Sequence, residues 1–205
     1  MKEQVRFVSH LLLHPVDGFW DMKHEKKGRL SASLLLLALA FFAVVFHQLG
    51  VGFLYDESYG EKASLVVMLE QVFVPFLLFC IANFSITTLM DGEGTFRDIV
   101  MAAGYSLTPI PLLLIPTTVL THVLSLEGAT YIRVFTALAL VWTLLLLFCG
   151  MMSVHRFEPG KTIGILLLTV AAMAIIVFIC VLFFSLISEI VGFVYTLFKE
   201  AGTRI

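Results

Sequence analysis

Residues 163–187 read IGILLLTVAAMAIIVFICVLFFSLI, which is 25 residues without a charge. An α-helix rises about 1.5 Å per residue and the hydrocarbon core of a bilayer is about 30 Å thick. About 20 apolar residues are therefore enough to cross it, and this run exceeds that. Backbone groups at that depth have no water to bond, so the run must satisfy them internally as a helix. Working outward, four more such runs precede it: Leu30–Leu49, Leu65–Met90, Ile99–Val123 and Tyr131–Ser153. The last span extends over Thr162–Ser188, with a helical continuation expected towards Phe198. None of the runs alternates apolar and polar residues as a membrane barrel would.

The composition agrees. Apolar residues make up 60% of the 205 and charged residues 14%, against about 45–50% and 25% in soluble domains. A soluble interior could not hide that much apolar surface. Disordered and disulfide-built secreted classes are excluded on the same ground. A net charge of −2 leaves no basic footprint for nucleic acid. The expected fold is all-α: an integral membrane bundle of five transmembrane helices with an N-terminal interfacial amphipathic helix. The expected organisation is residues 1–29 as a cytoplasmic segment, 30–198 as the membrane domain and 199–205 as a short outer tail. Cys80, Cys149 and Cys180 lie inside apolar runs without short Cys or His spacings, and read as small apolar residues.

The first long apolar run begins only at Leu30, too late for a cleavable signal core. Five spans place the two ends on opposite sides. Lys2, Arg6, Lys23, Lys26, Lys27, Arg29, Arg97, Arg156 and Lys161 fall on one side, and Lys62, Arg133, Lys199 and Arg204 on the other. The excess of nine over four puts the N-terminus in the cytoplasm and the C-terminus outside. Asp56, Glu57 and Glu61 in the first outer loop fit this orientation.

Before the first span, Val5, Val8 and Leu12 fall on one helical face with Phe7 and Leu11 beside them; Glu3, Arg6, Ser9 and His10 lie opposite. Pro15 should end this helix near His14. Phe19 and Trp20 suit the headgroup level, where aromatic rings concentrate. The segment is either an anchor on the membrane surface or a docking surface for a partner.

The third span carries Tyr105, Ser106, Thr108, Pro109, Pro111 and Pro116. Each proline removes a donor and crowds the carbonyl four residues earlier, here those of Tyr105, Leu107 and Leu112. Ser106, Thr108, a neighbouring helix or water could satisfy them. Two readings stay open: a kink packed against protein, or a cavity for a small molecule, lipid or ion. Pro75 makes a milder kink in the second span. His47, Glu70, His122 and Glu189 form an ionisable layer towards the outer face, with Glu70 and His122 as intramembrane candidates. Their spacing does not support a metal. Asn83 reads first as a helix–helix hydrogen bond.

The loop Asp91-Gly92-Glu93-Gly94-Thr95-Phe96-Arg97-Asp98 holds two turn glycines and a capping box, Thr95 with Asp98, that should start the third helix. Asp91 and Glu93 are partner candidates because the loop faces the same side as the N-terminal segment. No nucleophile elbow, zinc-protease motif or phosphate-cradling loop occurs. No enzymatic activity and no cofactor are expected.

Three stretches together resemble the bacterial form of the Yip family of five-span membrane proteins. They are His14-Pro15-Val16-Asp17-Gly18-Phe19-Trp20, Leu89-Met90-Asp91-Gly92-Glu93-Gly94-Thr95-Phe96 and Gly104-Tyr105-Ser106-Leu107-Thr108-Pro109. The resemblance implies a cytoplasmic N-terminus, five helices and a short outer C-terminus, in a bacterial plasma membrane. Eukaryotic members contact small GTPases through longer N-terminal regions than the 29 residues present before the first span. The expected function is an accessory or scaffold subunit that binds other membrane proteins, for example in a transport complex. Its expected partners are the lipid bilayer and another membrane protein or itself. The rival is a small transporter or channel with a cavity at the proline-rich third span.

Overall fold

A computed structural model describes residues 2–52, 64–124 and 128–203. These form eight helices: α1 (Lys2–Leu13), α2 (Pro15–His24), α3 (Leu30–Gly50), α4 (Leu65–Leu89), α5 (Phe96–Ser106), α6 (Pro109–Leu120), α7 (Ala129–His155) and α8 (Pro159–Thr203). Five stretches are long and apolar enough to cross a membrane: α3, α4, α5 with α6, α7, and α8. Their ends agree with the expected spans to within a few residues, except at α8. That helix continues beyond Ser188, as expected, and runs about five residues past Phe198 to Thr203. Asp56, Glu57, Glu61, Lys62 and Arg204 lie outside the described residues.

The third span is the centre of the bundle. In its most apolar stretch 61% of residues are buried, against 11–28% for the other four. α5 packs on α3, α4 and α7, and α6 on α3 and α7. Small residues make this possible. Ala102, Ala103, Gly104 and Ser106 let backbones approach where lipid offers no hydrophobic drive to associate. A Cβ on Gly104 would lie 2.1 Å from Ser33 Oγ, and that hydroxyl donates to the Val100 carbonyl at 2.9 Å.

The α-helical hydrogen-bond ladder of the span is broken for one turn, although the backbone there stays in the helical region. Leu107 and Thr108 form a turn between α5 and α6, and Pro109 is the first residue of the new helix. Proline suits that position because its missing N–H has no helical partner to bond. Two of the three carbonyls expected to be freed, those at the turn, are taken. That of Tyr105 accepts from Thr108 N–H at 3.2 Å and from Thr108 Oγ1 at 2.6 Å, and that of Leu107 accepts from Ile110 N–H at 3.0 Å.

α8 stands apart. Thr162, Ile165 and Thr169 are buried near its start, but every residue from 177 to 196 is exposed. At 45 residues it is about 68 Å long, more than twice a hydrocarbon core. The end of the bundle that carries the N-terminal segment is called proximal below.

Candidate functional site

The N-terminal segment folds as two helices where one was expected. Pro15 ends α1, as its missing donor requires, and then begins α2. The buried face of α1 also differs from the expected one. Phe7 and Leu11 are buried, whereas Val5 is 65% exposed. The reason is the partner surface, which rewards a ring: Phe7 meets Tyr105 edge-on at 5.6 Å between centroids. The Tyr105 hydroxyl accepts from Arg29 N–H at 3.2 Å, and its proton faces Gln4 Oε1 at 3.3 Å and Arg29 O at 3.4 Å. Tyr105 therefore fastens the N-terminal segment to the broken span.

Phe19 and Trp20 are adjacent in sequence and opposite in role. Phe19 is fully buried. Its ring lies where a Cβ on Gly150 would sit, 3.1 Å away, so the glycine makes the socket on α7. Trp20 points outward and is 45% exposed. Its indole stacks on His24 at 3.8 Å, and the Arg156 guanidinium lies 5.3 Å from the ring. Arg156 also reaches His24 Nε2 at 2.8 Å and the Glu93 carboxylate at 3.2 Å. Asp91 and Glu93 are both exposed. The result is an aromatic and charged surface built from α2, the α4–α5 loop and the end of α7.

Three further contacts hold this surface. Lys23 Nζ donates to Val154 O at the end of α7 at 2.6 Å and to Glu93 O in the α4–α5 loop at 3.2 Å, joining the two. Burial of the ammonium lowers the Lys23 pKa from the ordinary lysine value, while the carboxylates of Asp98 and Glu93 act the other way. Gly94 N–H donates to His155 Nδ1 at 3.2 Å, and a Cβ on Gly94 would lie 2.6 Å from that ring. The two loop glycines thus leave room for His155. Thr95 and Asp98 form the expected capping box at the start of α5.

Arg156 adopts a left-handed conformation, φ 55°, at the end of α7. Glycine usually holds that position. A non-glycine residue there is strained, and strain of this kind collects at functional sites. The sequence gives no sign of it, which is why Arg156 was missed. Lys23 and His24 lie in the mixed-charge stretch Lys23-His24-Glu25-Lys26-Lys27, where nothing in the sequence singles them out.

The intramembrane candidates are dispersed. Ser106 Oγ donates back to Ala102 O at 2.8 Å; Pro109 and Pro111 are buried and Pro116 is exposed. Asn83 is buried and its Nδ2 donates to Thr169 Oγ1 at 3.2 Å, tying α4 to α8. His47 meets Thr118 Oγ1 at 2.8 Å, and His122 meets Thr118 O at 3.2 Å. Glu70 and Glu189 are exposed. Among the described residues no group of three or more His, Cys, Asp or Glu could hold a metal.

The three stretches that carried the resemblance therefore meet in space. The His14–Trp20 stretch packs on α7, the Leu89–Phe96 stretch wraps His155, and Tyr105 receives α1. The chain matches the family model for the Yip1 domain over residues 9–183. It belongs to the Yip family. The match takes in α2, all of the broken span and most of the apolar part of α8. Residues 2–8, including Phe7, and the distal end of α8 lie beyond it. No curated protein and no solved structure matches the chain. In this Yip-family chain the surface around Trp20 and the break at Leu107–Thr108 are features that packing alone does not account for.

Proposed function

We propose that this protein is a non-enzymatic accessory or scaffold subunit that binds another membrane protein through the surface around Trp20. The observation that carries this reading is the exposed, immobilised indole, held between His24 and Arg156. Tryptophan and arginine are the side chains most enriched among residues that dominate binding energy. A ring already fixed by its neighbours loses little freedom when a partner covers it. Asp91 and Glu93 set a charged rim beside it. The lysine and arginine count favours the cytoplasmic side for this proximal end, and the resemblance to bacterial members of the family favours a bacterial plasma membrane.

The test is gentle extraction of the tagged full chain from its own membrane, followed by mass analysis of what accompanies it. A stoichiometric second membrane protein is expected, and it should be lost with Trp20→Ala and with Arg156→Gly. The second variant removes the guanidinium while relieving the left-handed backbone, so loss of the partner cannot be blamed on misfolding. Recovery of the same companion with both variants, or of the chain alone, defeats the proposal. The transporter reading has less support. The cavity beside the broken span is lined by 13 apolar residues, with Gln71 and Thr143 the only polar ones, which suits no polar solute.

A further inference from the structure

A cavity of about 570 Å³ lies where α4, α7 and α8 converge on the break in the third span. Leu107 and Ile110 border it from the break, Phe76 from α4, Leu147 from α7 and Val170 from α8. Its volume falls within the range of ligand sites, about 300–1,000 Å³. A separate apolar groove runs between α4 and α8 on the outside of the bundle, lined in part by Leu78, Val177 and Phe178. Pro75 and Met173 line both. The cavity and the groove therefore adjoin at these two residues, and the cavity itself meets the side of the bundle at Leu144 and Val170, both exposed.

What fills this space can be argued by elimination. Water in a cavity needs two to four polar partners. Here the lining offers two polar side chains, of which Gln71 is exposed at the edge, and each already makes one hydrogen bond. Thr143 Oγ1 donates to Ala139 O at 2.8 Å, and Gln71 Oε1 accepts from Gln48 Nε2 at 2.8 Å. If the cavity were left empty, its apolar lining would lack the dispersion contacts that a filled space supplies. The molecule that is apolar, narrow and always present at the lateral opening of a membrane bundle is a lipid chain. Along α4 the lining runs from Gln71 to Phe79, a depth of about 12 Å.

We infer that the cavity takes one acyl chain of a membrane phospholipid, which enters sideways past Pro75 and Met173. The site is independent of the surface around Trp20 and stands or falls without it. The chain gains little by leaving water, since it comes from hydrocarbon; it gains by restoring the dispersion contacts that the void lacks.

The test uses purified full-length protein in phosphatidylethanolamine–phosphatidylglycerol vesicles that contain a minor fraction of phospholipid with a diazirine in mid-chain. After illumination, cross-links are mapped by peptide mass. Ala103, Ile110 and Leu147, which are buried or half-buried, should be labelled. Val141 and Leu145, exposed on α7, report ordinary lipid contact. Leu147→Trp and Val170→Trp fill the void from different helices. Each should cut interior labelling about tenfold or more, with Val141 and Leu145 unchanged. Absence of interior labelling in the wild-type chain overturns the proposal without any variant having to fold. Interior labelling that persists in both filled variants overturns it too, as do interior cross-links to a second copy of the chain in place of lipid.

Discussion

Phe19→Ala should loosen the N-terminal segment without melting the spans. The magnitude follows from where Phe19 goes when it leaves its socket. A side chain that leaves a helix–helix contact inside the bilayer remains in hydrocarbon and loses only packing. Phe19 belongs to a segment that precedes the first span, so detachment carries its ring out to the wet interface, and a transfer term adds to the lost packing. Fully buried Phe→Ala changes cost about 3–5 kcal/mol. The socket floor is Gly150 with the Ala102 methyl beside it, and neither can expand to fill the gap. Taking about 3 kcal/mol, the detached population rises roughly 150-fold. Hydrogen–deuterium exchange of the protein in nanodiscs reads this directly. Amides of α2 should exchange roughly 100-fold faster if opening limits exchange, while those of α4 and α8 hold. Trp20→Ala is the control. Its exposed ring and cation–π contact contribute about 0.5–1 kcal/mol, so α2 should accelerate only a few-fold. A change below about tenfold in Phe19→Ala, or equal acceleration in α4 and α8, would refute the claim that this ring holds the segment locally.

Three further outcomes are expected. Pro109→Ala should shift stability in detergent by less than about 1 kcal/mol, because residue 109 opens α6 and has no helical donor to lose; Thr108→Val should cost about 1–2 kcal/mol by removing the hydroxyl on the Tyr105 carbonyl, so thermal unfolding that ranks them the other way round contradicts the account of the break. Gly104→Ala forces a Cβ to within 2.1 Å of Ser33 Oγ; it should cost about 1–3 kcal/mol, with partial recovery in the Ser33→Gly double variant. Gly94→Ala presses on the His155 ring and on Val154; it should lower the melting temperature and raise protease cleavage at Lys23, and His155→Ala in the same chain should restore part of both.

Much of the fold was legible because the bilayer sets a length that composition must meet. Five apolar runs gave five spans, and Thr95 with Asp98 gave the start of α5 by capping chemistry alone. The less legible features all depend on a partner in space. Val5, Val8 and Leu12 make as good a helical stripe as the observed one, and only the Tyr105 ring decides for Phe7 and Leu11. Phe19 and Trp20 look alike as aromatic residues before a span; Gly150, 130 positions later, separates them. The prolines pointed to irregular backbone in the third span. They did not show that Pro109 begins a helix instead of bending one, since that depends on Thr108 closing the Tyr105 carbonyl first.

The break also explains why a cavity exists at all. α5 is the half of the span made of small residues, and it packs closely on α3, α4 and α7. After the turn at Leu107–Thr108 the chain restarts as α6, whose partners are α3 and α7. Beyond Phe76, towards Pro75 and Gln71, α4 is no longer braced by the small-residue face that held it beside α5. The space that opens there is bordered by Leu107 and Ile110 on one side and by Leu166 and Val170 of α8 on the other. In water such a gap would collapse, because closing it would remove apolar surface from solvent. In a bilayer closing it removes nothing from solvent, and lipid can fill the gap as well as protein can. The polar cost of the break is met locally by the Thr108 hydroxyl, and its packing cost is left to the surrounding hydrocarbon. A broken central span is thus affordable in this bundle because lipid can complete the packing that the backbone abandons.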